Sequence, residues 1–249
     1  MELSVDNSEH YNHITTIWPF IMGNNFHWGL FEPTGISLEE ATDTLIEKML
    51  SVIHINEGTK LVDIGCGIGG PAFYIAEKYN IQITGISNSQ VGIEEANLRS
   101  HILKLNDRVS FSNRDALSTG FPDETFDVAW LLEMSHLIED KSKLIQESTR
   151  ILKNDGELVL CDLILKKELS YKDIYANKPN LLILEKSFGK AQLRTIEFYI
   201  NALTNLGLDD VCFIDISDKV QGTLDFWIEN AKSFKMQDIS KSHHNDIEN

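Results

Sequence analysis

Between positions 63 and 70 the chain reads Asp63-Ile64-Gly65-Cys66-Gly67-Ile68-Gly69-Gly70. Glycine reaches positive φ freely and lets a ligand approach the main chain with no Cβ in the way. The segment follows the apolar run Leu61-Val62-Asp63-Ile64 and precedes Pro71, which a first helical turn accepts. It therefore reads as a strand-to-helix turn, the setting that a nucleotide-binding loop requires. Two templates fit it. Gly65, Gly67 and Gly70 satisfy the dinucleotide pattern G-x-G-x-x-G; Asp63, Gly65, Gly67 and Gly69 satisfy the D-x-G-x-G-x-G loop that holds S-adenosylmethionine. A dinucleotide site expects an acid about 20 residues further on, at the end of the second strand, to bind the ribose. The chain has Gly85-Ile86-Ser87-Asn88-Ser89-Gln90 there, which counts against NAD and FAD. It also departs from most adenosylmethionine sites, which usually carry an acid at that place.

A second group able to do chemistry is Leu132-Glu133-Met134-Ser135-His136, just after an apolar run from Phe126 to Leu132. In doubly wound sheets the carboxyl ends of the strands face the ligand. His136 is thus the best-placed general base, and Glu133 lies at the same edge. Residues 10–33 gather His10, Tyr11, His13, Trp18, Phe20, Phe26, His27, Trp28 and Phe31. No acid–His signature accompanies those histidines, so no metal is expected, and the aromatics read as a lid. His243 and His244 lie in a polar tail and carry no assignment. Glu94-Glu95 reads as a solvated helix face.

The elements that position these groups follow from the apolar patterning. Ser37, with Glu40 three residues later, forms a capping box for a helix whose Leu45, Ile46, Met49 and Leu50 share one face. Strands are expected at 61–64, 81–86, 109–111, 126–132, 157–165 and 211–216. Helices are expected from Pro71 to about Tyr79, over 90–104 and 140–152, and from 191 to 206 ending at Gly207. A further helix is expected over 222–232. Asn154-Asp155-Gly156 reads as a helix stop with a left-handed glycine. Strands alternating with helices mean an α/β protein with a doubly wound, mostly parallel sheet and helices on both faces. Residues 166–190 break the rhythm and read as a cap insertion after the fifth strand. One domain is expected over 1–235, with 10–35 as its helical lid and 236–249 as a disordered tail.

Composition narrows the function. Lys and Arg number 22 against 38 Asp and Glu, a formal charge of −16. That balance opposes a general nucleic-acid binder or a protein docked on anionic lipid. Cys66, Cys161 and Cys212 form no Cys-x-x-Cys pair, so neither a disulfide scaffold nor structural zinc is expected. The start Met1-Glu2-Leu3-Ser4-Val5-Asp6 is acidic, and no apolar run approaches the roughly 18 residues of a membrane span. The expectation is a cytoplasmic protein with no stable membrane insertion.

Five blocks in order give the chain a family likeness. They are Val62 to Gly70; Ile83-Thr84-Gly85-Ile86-Ser87-Asn88-Ser89; Arg114-Asp115-Ala116 followed by Phe121-Pro122-Asp123-Glu124-Thr125-Phe126-Asp127; Arg150 to Leu158; and Asn25-Phe26-His27-Trp28-Gly29. Together they resemble class I S-adenosylmethionine-dependent methyltransferases of the small-molecule branch. That branch holds rebeccamycin-type sugar O-methyltransferases, sarcosine/dimethylglycine N-methyltransferases and tocopherol and sterol C-methyltransferases. The resemblance spans about Tyr11 to Lys232 and implies a Rossmann-like, seven-stranded sheet. S-adenosylmethionine is the implied cofactor and S-adenosylhomocysteine the product. It places Asp63, Gly65 and Gly67 around the methionine part and the sulfonium, Ser87 and Asn88 near the ribose, and Asp115 with Ala116 near adenine. Tyr11 closes over the methionine end. In the sugar enzymes a proposed catalytic His matches His136, and an Asp at the end of the fifth strand matches Asp162. The family often has Gln where an ungapped reading puts Gly92; Gln90 is offset by two.

The reaction so implied is methyl transfer to a small-molecule, natural-product acceptor, most simply a hydroxyl with His136 as base. C-methylation of a prenyl or sterol alkene and N-methylation of a small amine are the alternatives. Oligomeric state is open, with a homodimer as one option.

Overall fold

The computed structural model describes residues 11, 12, 15, 17–189 and 191–234. His10, His13, His243, His244 and the tail from 236 lie outside the described residues. Five strands are present: β1 (Lys60–Ile64), β2 (Gln82–Ser87), β3 (Val109–Asn113), β4 (Phe126–Leu132) and β5 (Leu152–Cys161). All neighbours pair in parallel, in the order β3-β2-β1-β4-β5. The direction of winding reverses between β1 and β4, and ligands bind outside the carboxyl ends of the strands at such a switch point.

Side-chain alternation sends residues to opposite faces of the sheet. Leu61, Ile83, Trp130 and Val159 pack into one core with helices α2 (Leu38–Leu50) and α3 (Gly70–Lys78). Val62, Ile64, Ile86, Ala129 and Leu131 face the other core, which α5 (Lys141–Arg150) covers with Leu144. Helix α4 (Gln90–Ile102) adds Ile93 and Ala96 to the first core. Parallel strands buried on both faces read as continuous apolar runs, which is why β4 is Phe-Asp-Val-Ala-Trp-Leu-Leu. The capping box at α2 forms as the spacing implies: Ser37 Oγ accepts from the Glu40 N–H at 3.2 Å, and Glu40 accepts from the Ser37 N–H at 2.8 Å.

Gly85 of β2 sits against the Phe111 ring, which itself packs edge-on against Phe73 at 5.3 Å. A Cβ there would overlap Phe111 and stand 3.0 Å from the Cys66 Cβ. Gly85→Ala should therefore cost about 1–3 kcal/mol by overpacking. The measurement is a lowered denaturation midpoint at unchanged m-value.

Several expectations shift. The sheet has five strands among the described residues, where seven were expected, and residues 211–216 form no strand. β propensity reports only fit to a pleated surface, and here that segment stands off from the outer edge of β5 with Phe213 and Ile214 half exposed. α5 ends at Arg150 and β5 begins at Leu152. The register jumps from Phe126↔Leu152 to Val128↔Glu157, a bulge. Gly156 is absent from the positive-φ positions; it serves close approach instead, since a Cβ would lie 3.2 Å from the Asp127 carbonyl. The helix after the cap, α7 (Ile196–Asn205), starts behind an extended Thr195 rather than at 191.

The segments expected as lid and cap have distinct anchors. α1 (Trp18–Met22) and the stretch after it pack on the last helix, α8 (Gly222–Ser233). Trp28 meets Trp227 at 5.4 Å, Phe31 stacks on Phe226 at 5.7 Å, and the Thr223 hydroxyl accepts from the Gly29 N–H at 3.0 Å. Within the stretch 166–190 expected as a cap lies helix α6 (Tyr171–Phe188), with its own capping box from Ser170 to Asp173 and Tyr171 and Tyr175 exposed.

Candidate active site

The β1–α3 turn takes the shape that its glycines allow. Gly65, Gly67 and Gly69 have φ of 83°, 54° and 82°. The Gly65 and Cys66 N–H groups donate to the Ile86 carbonyl at 2.8 and 3.0 Å, tying the turn to β2. A Cβ on Gly65 would come within 2.5 Å of the Met134 Cβ, whereas one on Gly67 would meet nothing within 4 Å. Gly67 thus presents bare backbone to open space.

That space is a cavity of about 480 Å³ lined by Asp63, Gly65, Gly67, Ser87, Asn88, Asp115, Ala116 and Tyr11. All eight expected cofactor residues are thereby brought to one place. Asp63 is buried, and its Oδ2 has no hydrogen-bond partner; burial pushes its pKa up to about 7. An orphaned carboxylate oxygen and a glycine cradle suit a cationic nucleotide ligand, so the residues present fit an adenosyl sulfonium. Ser89 caps α4 by accepting from the Gly92 N–H at 3.1 Å. Gln90 turns to Glu94 at 2.8 Å and does not line the cavity, while Gly92 does. The offset glutamine is therefore no cofactor contact in this conformation. Asp115 spends one oxygen on the Leu117 N–H at 2.8 Å.

Tyr11, Phe26 and His27 of the aromatic segment line this cavity. Tyr11 packs edge-on against Trp18 and Trp18 against Phe26, both at 5.5 Å. Asn12 accepts from the Ser89 hydroxyl at 2.8 Å. Glu133, held at a left-handed φ of 51°, accepts from the Trp28 N–H at 2.8 Å and latches the segment to the end of β4. Burial, opposed by that N–H and helped by the Asp162 charge, raises the Glu133 pKa. Burial also raises that of Tyr11, and the charges of Glu133 and Asp162 add to the effect. Glu133→Ala should leave the Trp28 N–H unpaired and cost about 1–3 kcal/mol of local protection. Hydrogen exchange of the amides around residue 28 should speed about tenfold or more, and Glu133→Gln, which keeps an acceptor, should stay near wild type.

At the adjoining edge His136 Nδ1 lies 2.6 Å from Asp162 Oδ1, and Asp162 Oδ2 accepts from the His136 N–H at 2.9 Å and from the Ser135 hydroxyl at 2.6 Å. Burial pushes Asp162 up, but the bonds from His136 and Ser135 outweigh it and hold the carboxyl below its usual range. The sequence-expected pair is thus assembled. His136 borders neither cavity as they stand: the Gln192 N–H donates to its carbonyl at 2.6 Å, and Ser135 bonds Tyr199 at 2.8 Å beside it. Asp162, Tyr199 and Trp28 line a second cavity of about 1300 Å³ along the outer edge of β5, and Glu133 lines both cavities. Glu133 at the wall, Asn12 and Tyr199 escaped the sequence reading of these roles, because each works through a bond to a residue distant in the chain. Among the described residues no His/Cys/Asp/Glu cluster suits a metal, and no helix is long and apolar enough to cross a membrane.

Sheet order, switch point and loop together define a Rossmann-like, nucleotide-cofactor-binding protein. Residues 62–160 match the family model described as "Methyltransferase domain". The chain is 32% identical over 215 residues to the 27-O-demethylrifamycin SV methyltransferase of Amycolatopsis mediterranei (strain S699), covering 86% of this chain and 76% of that one. Its fold is similar to the crystal structure of the [4+2]-cyclase SpnF, with a TM-score of 0.78 at 24% identity over 94% of this chain and 86% of that one. It is also similar to the geranyl diphosphate C-methyltransferase of Streptomyces coelicolor A3(2) in complex with Mg2+, geranyl diphosphate and S-adenosyl-L-homocysteine (TM-score 0.69, 19% identity, 93% and 90% covered). The chain belongs to the class I S-adenosylmethionine-dependent methyltransferases and transfers methyl to a small molecule.

Proposed function

We propose that the acceptor atom is a hydroxyl oxygen of a natural product and that His136 is the general base. The observation that carries this reading is the contact of His136 Nδ1 with Asp162 at 2.6 Å, at the sheet edge beside the glycine loop. When bound, the cofactor would supply an electrophilic methyl group, which passes to the nucleophile as the neutral thioether of S-adenosylhomocysteine leaves in line. Asp63 and the Gly65–Gly67 turn hold its methionine part, Ser87 and Asn88 its ribose, and Asp115 with Ala116 its adenine, under Tyr11. Asp162 takes the Nδ1 proton's hydrogen bond, so Nε2 carries the lone pair that accepts the hydroxyl proton. Asp162 then stabilises the imidazolium that results. The larger cavity, bordered by Asp162 and Tyr199 next to His136, is the place for the acceptor.

The protein acts as one domain over 1–235, with 10–35 as lid and 166–190 as cap, and needs no nucleic acid or membrane insertion. The O-methyl chemistry in the name of the rifamycin relative supports a hydroxyl over other acceptor atoms. The test is a panel of alcohols, amines and prenyl diphosphates with labelled methyl donor, together with mass spectrometry of a cell extract for a gain of one methylene. Methylation of amines or alkenes alone would sink the hydroxyl reading.

A further inference from the structure

We propose that His27 is a cofactor-positioning residue whose Nε2 lone pair accepts a hydrogen bond from the α-ammonium group of the methionine part of S-adenosylmethionine. The proposal rests on the cofactor cavity assigned above. His27 Nδ1 lies 2.8 Å from the Trp28 carbonyl. A carbonyl only accepts, so Nδ1 carries the proton and Nε2 is left as a bare acceptor. The ring is 3% exposed, and Nε2 has no partner. His27 nevertheless lines the 480 Å³ cavity, with Asp63.

Asp63 Oδ2 is the other orphaned buried side-chain atom bordering that cavity among the described residues. Buried polar groups are normally satisfied, so two orphans in one cavity point to a ligand. Both are acceptors, and the ligand must bring donors. An α-ammonium offers three N–H groups and a positive charge. Burial lowers the His27 pKa to about 4, so the ring stays neutral at working pH and does not repel that cation. The same depression makes it a poor base, which separates its role from that of His136. Trp28 supports the arrangement from both ends of its peptide: its carbonyl fixes the His27 tautomer, and its N–H is held by Glu133.

The test is calorimetric titration of His27→Ala with three ligands. These are S-adenosylhomocysteine, the analogue with hydrogen in place of its α-amino group, and 5′-methylthioadenosine, which keeps adenine and ribose. A bond to a charged donor predicts about 10- to 100-fold weaker binding of S-adenosylhomocysteine, with the other two ligands within about twofold of wild type. His27→Gln, which restores an acceptor, should recover part of the loss. Equal weakening of all three ligands would make His27 a packing residue of the lid or a contact to the nucleoside, and an unchanged affinity for all three would remove the contact; either outcome overturns the proposal. The underlying cavity assignment is checked separately by Gly67→Val, which should abolish binding of all three. If it does not, the cavity assignment fails rather than His27.

Discussion

His136→Ala should lower kcat by roughly 10²–10⁴-fold, the usual worth of a positioned general base, and leave the Kd for S-adenosylhomocysteine within about twofold. The split follows from where the residue sits. His136 is bonded to Asp162 at 2.6 Å and is absent from the cavity that holds Asp63, Gly67 and Asp115. Asp162→Asn should lose comparable rate, because an amide can donate to Nδ1 and favour the wrong tautomer. Its carboxylate also accepts from Ser135 and from the His136 backbone, so that variant loses stability as well. Single-turnover methyl transfer beside cofactor titration separates the two effects. Near-normal turnover of His136→Ala would retire His136 as base, and a neutral amine, which needs no base, is one acceptor that would allow it.

Cofactor affinity should weaken about tenfold for each pH unit below 7, because binding a cation beside Asp63 requires its ionised form. Burial holds that carboxyl near 7 in the ligand-free protein. Below that pH, binding must expel a proton, which calorimetry in buffers of different ionisation enthalpy will count. The ligand-free protein shows the mirror image. Its raised pKa means that the native state binds the proton more tightly than the unfolded chain does, so this group's contribution to stability falls as pH rises from about 4 to 7. Saturating S-adenosylhomocysteine should restore it. Asp63→Asn should flatten both dependences and weaken binding at pH 8 by roughly 10- to 100-fold. A pH-independent Kd between 5 and 8 would show that Asp63 does not meet the cationic part of the ligand.

The sheet was legible because its signals are local. Val62-Asp63-Ile64 leads at once into glycines that take positive φ, and the run from Phe126 to Leu132 is buried on both faces. The loop residues that line the cavity follow from spacing for the same reason. His136 was legible from its place just past the fourth strand, whereas Asp162 was marked only by the resemblance to the sugar enzymes, because the expected fifth strand ran on to 165; β5 ends at Cys161, and adjacent strands end side by side. What failed was anything that depends on a partner. Residues 211–216 have the residue types of a strand, but no neighbouring strand pairs with them among the described residues. Glu133 and Trp28 are separated by 105 positions, and no periodicity encodes a hydrogen bond between a side chain and a remote peptide group. His27 was visible as a lid residue, but its orphaned nitrogen exists only once the Trp28 carbonyl has fixed its proton.

The edge-on contact of Trp28 with Trp227 and the stacking of Phe31 on Phe226, with the Asn230 amide donating to the Ile21 carbonyl at 2.8 Å, have a practical corollary. Helices α1 and α8 pack on each other and brace the stretch from Asn24 to His27, three of whose residues line the cofactor cavity. Strain placed on one of these helices is passed to the other. A fusion partner attached behind the final helix would therefore act as a crowbar on product release, altering turnover without touching any group that reacts.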